Sequence, residues 1–294
     1  MVEKPTVASK IFDIFNLIFL LLITLVCILP IWYILMLSMS DKLAVSSGAV
    51  GLWPVGFNLK SYTEILKDSR FWTSFWNSIM RVILGGVIGI LAIVLTAFPL
   101  SRTKAEFPRR NFFMWVLIIC MLFSGGLVPW YLNIKNLGLL DSIWALVFGG
   151  GLQVFNVILV VNFFRNLPKE LEEAAWVDGA EPIYILFKLF IPLSLPVIAT
   201  VSLFTVVYHW NEYFQGLVLM SRSEHYPLQT YIQQLVVPAS AENLTEEQML
   251  AMATLSNEAL NAAKVFIAMI PVLIIYPFAQ KYFVHGITLG SVKG

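Results

Sequence analysis

NLPKELEEAAWVDGAEPIYILFKLFIPLSLP, residues 166–196, brings charge, glycine and proline into an otherwise apolar chain. Pro168 suits a first helical turn, and Glu170, Glu172 and Glu173 fall where a helix N-terminus favours acids. Leu171, Ala174, Ala175 and Asp178 share one face at helical spacing. The alanines leave that face shallow, so another surface can approach closely. Gly179 is placed to end the helix with a left-handed residue. Pro182 starts a second helix, Ile183–Phe190 is apolar apart from Lys188, and Pro192 and Pro196 lead into a further apolar helix. A passive connection needs none of this. The segment reads as two short helices around a glycine turn, built for docking.

The surrounding chain is a membrane protein by composition. Of 294 residues, 59% are hydrophobic and 13% charged, with a mean hydropathy of +0.80. A soluble domain carries about 25% charged residues. A bilayer-crossing helix needs about 20 apolar residues. Six stretches qualify: 12–37, 75–100, 112–132, 143–164, 193–219 and 259–283. The expectation is one all-α integral membrane domain over 1–294 with six transmembrane helices. The third stretch contains Ser124–Gly126 (SGG) and the fourth Gly149–Gly151 (GGG), and glycine is common in membrane helices. Lys4 and Lys10 flank an apolar run to Leu37 that is too long for a signal segment, so it reads as a retained first helix.

Orientation follows from basic residues in short loops. SRTKAEFPRR (Ser101–Arg110) holds four basic residues against one acid, whereas NIKNLGLLD (Asn133–Asp141) holds one. Loop 102–110 is therefore expected in the cytoplasm, with both termini and segment 166–192 on the same side. The long loops 38–74 and 220–258 then face outward, with Leu59–Trp72 suited to an interfacial helix.

Several functions are excluded. A net charge of +1 argues against nucleic-acid binding. Cys27 and Cys120 sit in apolar runs and read as small buried hydrophobes, without disulfide or metal spacing. No phosphate-binding G-x-x-x-x-G-K-[ST], H-E-x-x-H or G-x-S-x-G occurs. His209, His225 and His285 are scattered and read as surface or interfacial residues. Neither a catalytic nor a metal site is expected.

Intramembrane polar residues are the other signal. Arg81 falls near the outer end of the second helix, where it can snorkel to the interface, and Lys264 falls similarly on the sixth. YHWNEYFQ (Tyr208–Gln215) concentrates aromatic and hydrogen-bonding groups. Tyr208, Trp210, Asn211 and Glu212 are candidates for a path taking a polyhydroxylated solute, because aromatic faces pack on C–H surfaces while amides and carboxylates take hydroxyls. An aromatic belt at the interface explains the octet equally well. Asn77 and Asn156 are weaker candidates, since a lone membrane Asn more often joins helices. Gly85 and Gly89 give a close-packing spacing, and Pro30, Pro129, Pro271 and Pro277 should kink or end helices.

Segment 166–196 also resembles the EAA motif of ATP-binding-cassette (ABC) importer permeases, E-A-A, three residues, G, nine residues, I-x-L-P. Glu173, Ala174, Ala175, Gly179 and Pro192 match at those spacings, and Leu189 and Ile191 are mild departures. Asp178 and Ala180 complete the D-G-A form of the sugar-transporting branch. FPLSR (98–102), NLGLLDSIWAL (136–146), FFRNLPKELEEAA (163–175) and HWNEYF (209–214) resemble MalG-like permeases. FSGGLVPWYL (123–132) and YPFAQKYFVHGITLGSVKG (276–294) are similar to the LplC/YtcP-type subgroup, associated with complex oligosaccharides.

The resemblance implies a type I ABC importer permease in the bacterial cytoplasmic membrane, non-enzymatic by itself. Its implied partners are a second homologous permease subunit, two ATPase subunits that bind ATP and Mg, an extracellular solute-binding protein, an oligosaccharide and membrane lipid. It places Glu173, Ala174, Ala175, Asp178, Gly179, Ala180 and Pro192 at the ATPase contact, and the tail Gly290–Gly294 near the ATPases. The rivals are the same importer type for a polyol or glycerol phosphate, a self-contained secondary transporter, and a membrane enzyme. The secondary transporter would be expected to show paired intramembrane acids or inverted repeats. The enzyme lacks a catalytic constellation.

Overall fold

Apolar runs broken by glycine, proline and one buried ion pair decide where this chain forms helix and where the helices stop. The computed structural model describes residues 6–236 and 258–291. Residues 1–5, 237–257 and 292–294 lie outside the described residues, and with them most of the expected outer segment 220–258 and of Gly290–Gly294. Among the described residues every regular element is helical. In chain order they are α1 (Val7–Ser38), α2 (Lys42–Ser46), α3 (Lys60–Lys67), α4 (Ser69–Ser101), α5 (Arg110–Leu122), α6 (Leu127–Asn136), α7 (Ile143–Phe148), α8 (Val154–Arg165) and α9 (Lys169–Val177). There follow α10 (Pro182–Ile185), a π turn (Leu186–Phe190), α11 (Ile191–Leu193), α12 (Leu195–Asn211), α13 (Phe214–Leu219), a 3-10 turn (Ser223–His225), α14 (Leu228–Val236) and α15 (Glu258–Ser291).

Among the described residues three helices are long and apolar enough to cross a membrane: Ser9–Ser38, Ser69–Ser101 and Glu258–Pro277. The other expected spans are broken. Stretch 112–132 is two helices bent by 115° at the SGG segment, where Gly126 has φ 86°. Stretch 143–164 is interrupted at GGG, leaving α7 and the 12-residue α8. Stretch 193–219 stops at Asn211 and resumes at Phe214, because the Glu212 carbonyl accepts a 2.9 Å bond from Arg81 Nη1. Upstream, Pro182–Leu193 meets α12 at 87°. Hydropathy sees the apolar content of these stretches but not the diverted carbonyl. Leu59–Trp72 divides at Asp68 into α3 and the start of α4. Pro30, Pro271 and Pro277 lie inside helices, and Pro129 lies in the first turn of α6.

The described residues pack as two compact units, one drawn from Met1–Ser69 with Gln234–Met269, the other from Arg70–Gln233 with Ile270–Gly294. In the first, Met36, Val45, Val50 and Ala259 form a small core, and Ser38 Oγ lies 2.7 Å from the Tyr62 hydroxyl. Lys264 does not snorkel: it is buried, with Nζ 2.6 Å from Asp68 Oδ2. A nearby carboxylate holds the ammonium inside, which the isolated sequence of the last helix does not reveal. Much of α1 faces outward with bare Leu, Ile and Phe side chains. Cys27 on α1 and Cys120 on α5 are likewise exposed, not buried. Lipid is as apolar as a protein core, so an apolar run does not say which side of a helix a thiol takes.

The second unit holds the larger core. Ile93, Val94, Ala97 and Leu100 of α4 interlock with Val157, Val160, Val161 and Phe164 of α8. Ile185, Leu186 and Phe190 close it from the segment after α9. In a membrane, such packing is driven by close contact more than by removal from water. Towards the other end of this unit, Ile134, Ala145, Leu146, Leu219 and Met220 form a second cluster beside Trp130 and Tyr226.

Candidate functional site

Two candidate features lie within the second unit: the helix α9 with the segment that follows it, and a cavity beside the Arg81–Glu212 pair. Pro168, with ψ 126°, is the N-cap of α9, one position before the expected first turn, and Glu170 and Glu172 fill that turn. The helix ends as predicted. Gly179 has φ 77°; its N–H donates to the Trp176 carbonyl at 3.0 Å, and the Ala180 N–H donates to the Ala175 carbonyl at 2.9 Å. These paired bonds form the Schellman closure, and they need a left-handed residue, a conformation that glycine adopts without strain. Pro182 then opens α10 at its first position.

No residue of α9 is buried. Glu173, Ala174, Asp178, Gly179 and Pro192 are exposed, and Val177 is 88% exposed. Ala175 and Ala180 are half-buried against the core. The shallow outer face therefore runs through Leu171, Ala174 and Asp178, without the Ala175 that helical spacing had included.

The second feature is a cavity of about 590 Å³, lined by Ser124–Leu127, Trp130, Asn133, Gly149, Gly150, Tyr208, Glu212, Phe214 and Gln215, among others. Its wall is a hydrogen-bonded set. Arg81 is fully buried, with Nη2 3.0 Å from Glu212 Oε2 and 2.5 Å from Gln215 Oε1. The Gln215 backbone N–H donates to both Glu212 oxygens, at 3.0 and 3.2 Å, and Gln215 Nε2 donates to the Tyr208 hydroxyl at 3.1 Å. Trp130 Nε1 donates to the Gly149 carbonyl at 2.8 Å, and its ring lies 6.5 Å from Phe214 in stacked orientation. The GGG break serves this wall: a Cβ on Gly150 would sit 2.5 Å from the Tyr208 hydroxyl oxygen.

Arg81 corrects the snorkelling expectation. Two acceptors on the chain after α12 compensate its burial, so it stays inside. Tyr208 and Glu212 line the cavity. Trp210 is buried and meets Phe75 edge-on at 5.8 Å, and Asn211 is exposed at the end of α12, outside the lining. Asn77 donates to the carbonyls of Glu224 and Tyr226, bracing a loop. Asn156 is buried and bonded to Gln153 and Thr205, the joining role typical of a membrane Asn. His209 is buried rather than interfacial, its ring seated against Gly85. Trp130 and Gln215 lay within noticed segments, but nothing local marked them as cavity walls.

A loop clamp stands near the same end. Asp141 adopts φ 57°, and its N–H donates to the Leu219 carbonyl at 2.9 Å. Its Oδ1 accepts from the N–H groups of Ser221 and Arg222 and lies 3.0 Å from His225 Nδ1, while Oδ2 accepts from Arg222 Nε at 2.8 Å. Burial tends to raise this carboxyl, but the bonds from His225, Ser221 and Arg222 outweigh it and hold it well below the usual carboxylate range. The folded value is depressed, so the clamp's contribution is fully present above about pH 4, the unfolded value. It is lost only as the pH falls through the lower, folded value. Asp141→Asn should cost about 1–3 kcal/mol at neutral pH. It should also flatten the acid limb in thermal unfolding scans between pH 7 and strong acid. An unchanged melting temperature would show that the clamp carries no stability.

No family model matches the chain. It is 36% identical over 286 residues to the polygalacturonan/rhamnogalacturonan transport system permease protein YtcP of Bacillus subtilis (strain 168), across 97% of this chain and 99% of that protein. It is 36% identical over 289 residues to protein LplC of the same organism, covering 98% and 97%. Among solved structures it matches a chain of a bacterial ABC transporter involved in the import of the acidic polysaccharide alginate. There the TM-score is 0.83 at 36% identity, covering 96% of this chain and 100% of that one.

Proposed function

The chain belongs to the permeases of binding-protein-dependent ABC sugar importers, and on that premise we propose that it forms half of an oligosaccharide translocation path. In this reading it crosses the cytoplasmic membrane six times as one permease domain, with both termini and the α9–α11 segment in the cytoplasm. The broken stretches count as spans with interruptions, since irregular backbone is tolerated at membrane depth where protein or a cavity covers it. The basic loop 102–110 supports the orientation.

The observation that carries the proposal is the exposed, Schellman-closed α9 bearing the E-A-A-x-x-x-G spacing on a chain similar to sugar permeases over nearly its whole length. Its shallow face, Leu171, Ala174 and Asp178, is suited to a cleft on one ATPase subunit. Gly179 and Pro182 set the angle of the segment behind it. ATP and Mg belong to that partner, which does the chemistry. A second permease would complete the path, and an extracellular binding protein would deliver the solute.

The cavity beside Tyr208, Glu212 and Gln215 is our candidate for the solute path in this subunit. Trp130 and Phe214 offer ring faces to sugar C–H surfaces, and Glu212, Gln215 and Asn133 offer acceptors and donors to hydroxyls. Trp130→Ala should lower the maximal rate of ATP-driven uptake about two- to tenfold, the worth of one aromatic contact. Asn211→Ala should have a smaller effect. Initial uptake rates in cells carrying each variant decide this, and equal rates for Trp130→Ala and wild type would remove the cavity from the path. The whole reading is tested by co-purification: tagged chain should bring down a second permease and an ATP-binding-cassette ATPase. Solute moved by the isolated chain would favour a secondary transporter.

A further inference from the structure

No residue of α9 is buried, yet a charged contact joins it to the end of α4. Glu172 of α9 is ion-paired with Arg102, the residue just beyond the end of α4. The Arg102 guanidinium lies 4.3 Å from the ring centre of Phe98 in α4 and 4.7 Å from that of Phe190 in the π turn. It therefore touches all three elements that meet there. A planar cation stacked on two rings keeps a fixed direction, unlike a lysine on a flexible stem. The carbonyl of Arg102 accepts from Arg110 Nη1 at 2.7 Å, and that of Leu100 accepts from Arg165 Nη2 at 2.9 Å. The end of α4 is thus anchored by cations that complement its helix dipole.

The same helix carries Arg81, whose guanidinium holds Glu212 and Gln215 in the cavity wall. Arg81 and Arg102 are 21 positions apart on α4 and its cap, about 30 Å along a continuous helix. We propose that Arg102 is a positioning residue that ties the docking helix α9 to α4, so that displacement of α9 is carried by α4 to the cavity wall at Arg81. The inference rests on the docking role given to α9 above.

The test uses the complete complex with Cys27 and Cys120 replaced by alanine. Nitroxide labels go at Val177 on α9 and Leu91 on α4, both exposed. Spin–spin distances are read without nucleotide and after trapping with ATP and vanadate. In the wild type one Val177–Leu91 distance should persist in both states. In Arg102→Ala that single distance should be lost, broadening or shifting on trapping, and Arg102→Lys, which keeps the charge but not the planar fork stacked on Phe98 and Phe190, should recover it only in part. A wild-type distance that changes on trapping, or an Arg102→Ala distribution equal to wild type in both states, overturns the proposal. If Arg102→Ala does not assemble, Glu172→Gln is read in the same way, and an unchanged distribution there overturns it too. Failure of the ATPases to co-purify would instead sink the functional reading. The Val177–Leu91 distance in the isolated wild-type and Arg102→Ala chains then decides the tie alone.

Discussion

Glu212→Ala is expected to destabilise the protein by about 3–5 kcal/mol, the usual cost of stranding one partner of a buried ion pair. Arg81 is fully buried, so its charge would be left with Gln215 and the carbonyl of residue 212. One guanidinium nitrogen, Nε, already lacks a partner, so there is little further compensation to draw on. Glu212→Gln preserves shape but not charge and should fall between Ala and wild type. The double variant Arg81→Met with Glu212→Gln should regain most of the loss, because exchanging a buried pair for groups of similar volume is often neutral. Thermal unfolding in lipid nanodiscs, run as a double-mutant cycle, separates the pair from its surroundings. A Glu212→Ala protein that melts with wild type would mean that Arg81 finds another partner and that the pair does not hold the break after α12.

Gly179→Val should sharply reduce solute transported per ATP hydrolysed. A β-branched residue at φ 77° carries about 1–3 kcal/mol of backbone strain. If all of that strain falls on docking, it corresponds to roughly a 5- to 150-fold loss of coupling. A Cβ at this position meets nothing within 4 Å in the isolated chain, so the fold itself has no steric objection. The strain is relieved by reopening the α9 closure, which tilts Glu173 and Ala174 away from their docked direction. Gly179→Asn separates conformation from space, since asparagine tolerates the left-handed region. If only the turn matters, Asn behaves nearly as glycine; if the ATPase needs bare backbone here, Asn fails like Val. The ratio of uptake to ATP hydrolysis in reconstituted complexes distinguishes them. Normal coupling in Gly179→Val would remove α9 from the docking role.

These two residues also mark where local reading succeeds and where it fails. Gly179 could be read from its neighbours because a helix end is a local event: acids, alanines, glycine and proline within fifteen positions dictate it. Arg81 could not. Its surroundings on α4 are apolar and suggest a cation escaping to the interface, and its partners lie more than 130 positions away. His209 and Lys264 misled for the same reason, the first buried against Gly85 and the second against Asp68. Of Tyr208, Trp210, Asn211 and Glu212, the first and last line the cavity and the middle two do not. A run of adjacent helical residues points in several directions, and only two of these four face the cavity.

By itself the sequence determined the solvent, the helical class, and the short helix 169–177 with its glycine turn. Apolar content, charge asymmetry and cap chemistry are properties of short windows, and they act before any tertiary contact forms. Only the tertiary structure decided which apolar runs break, which buried charges are paired, and that α4 carries Arg81 at the cavity wall and ends beside the Arg102–Glu172 pair. Those outcomes depend on a carbonyl, a carboxylate or a ring supplied from far along the chain. In a membrane the choice between a lipid-facing and a core-facing side chain rests on packing against such distant partners, because the apolarity of the two environments is the same.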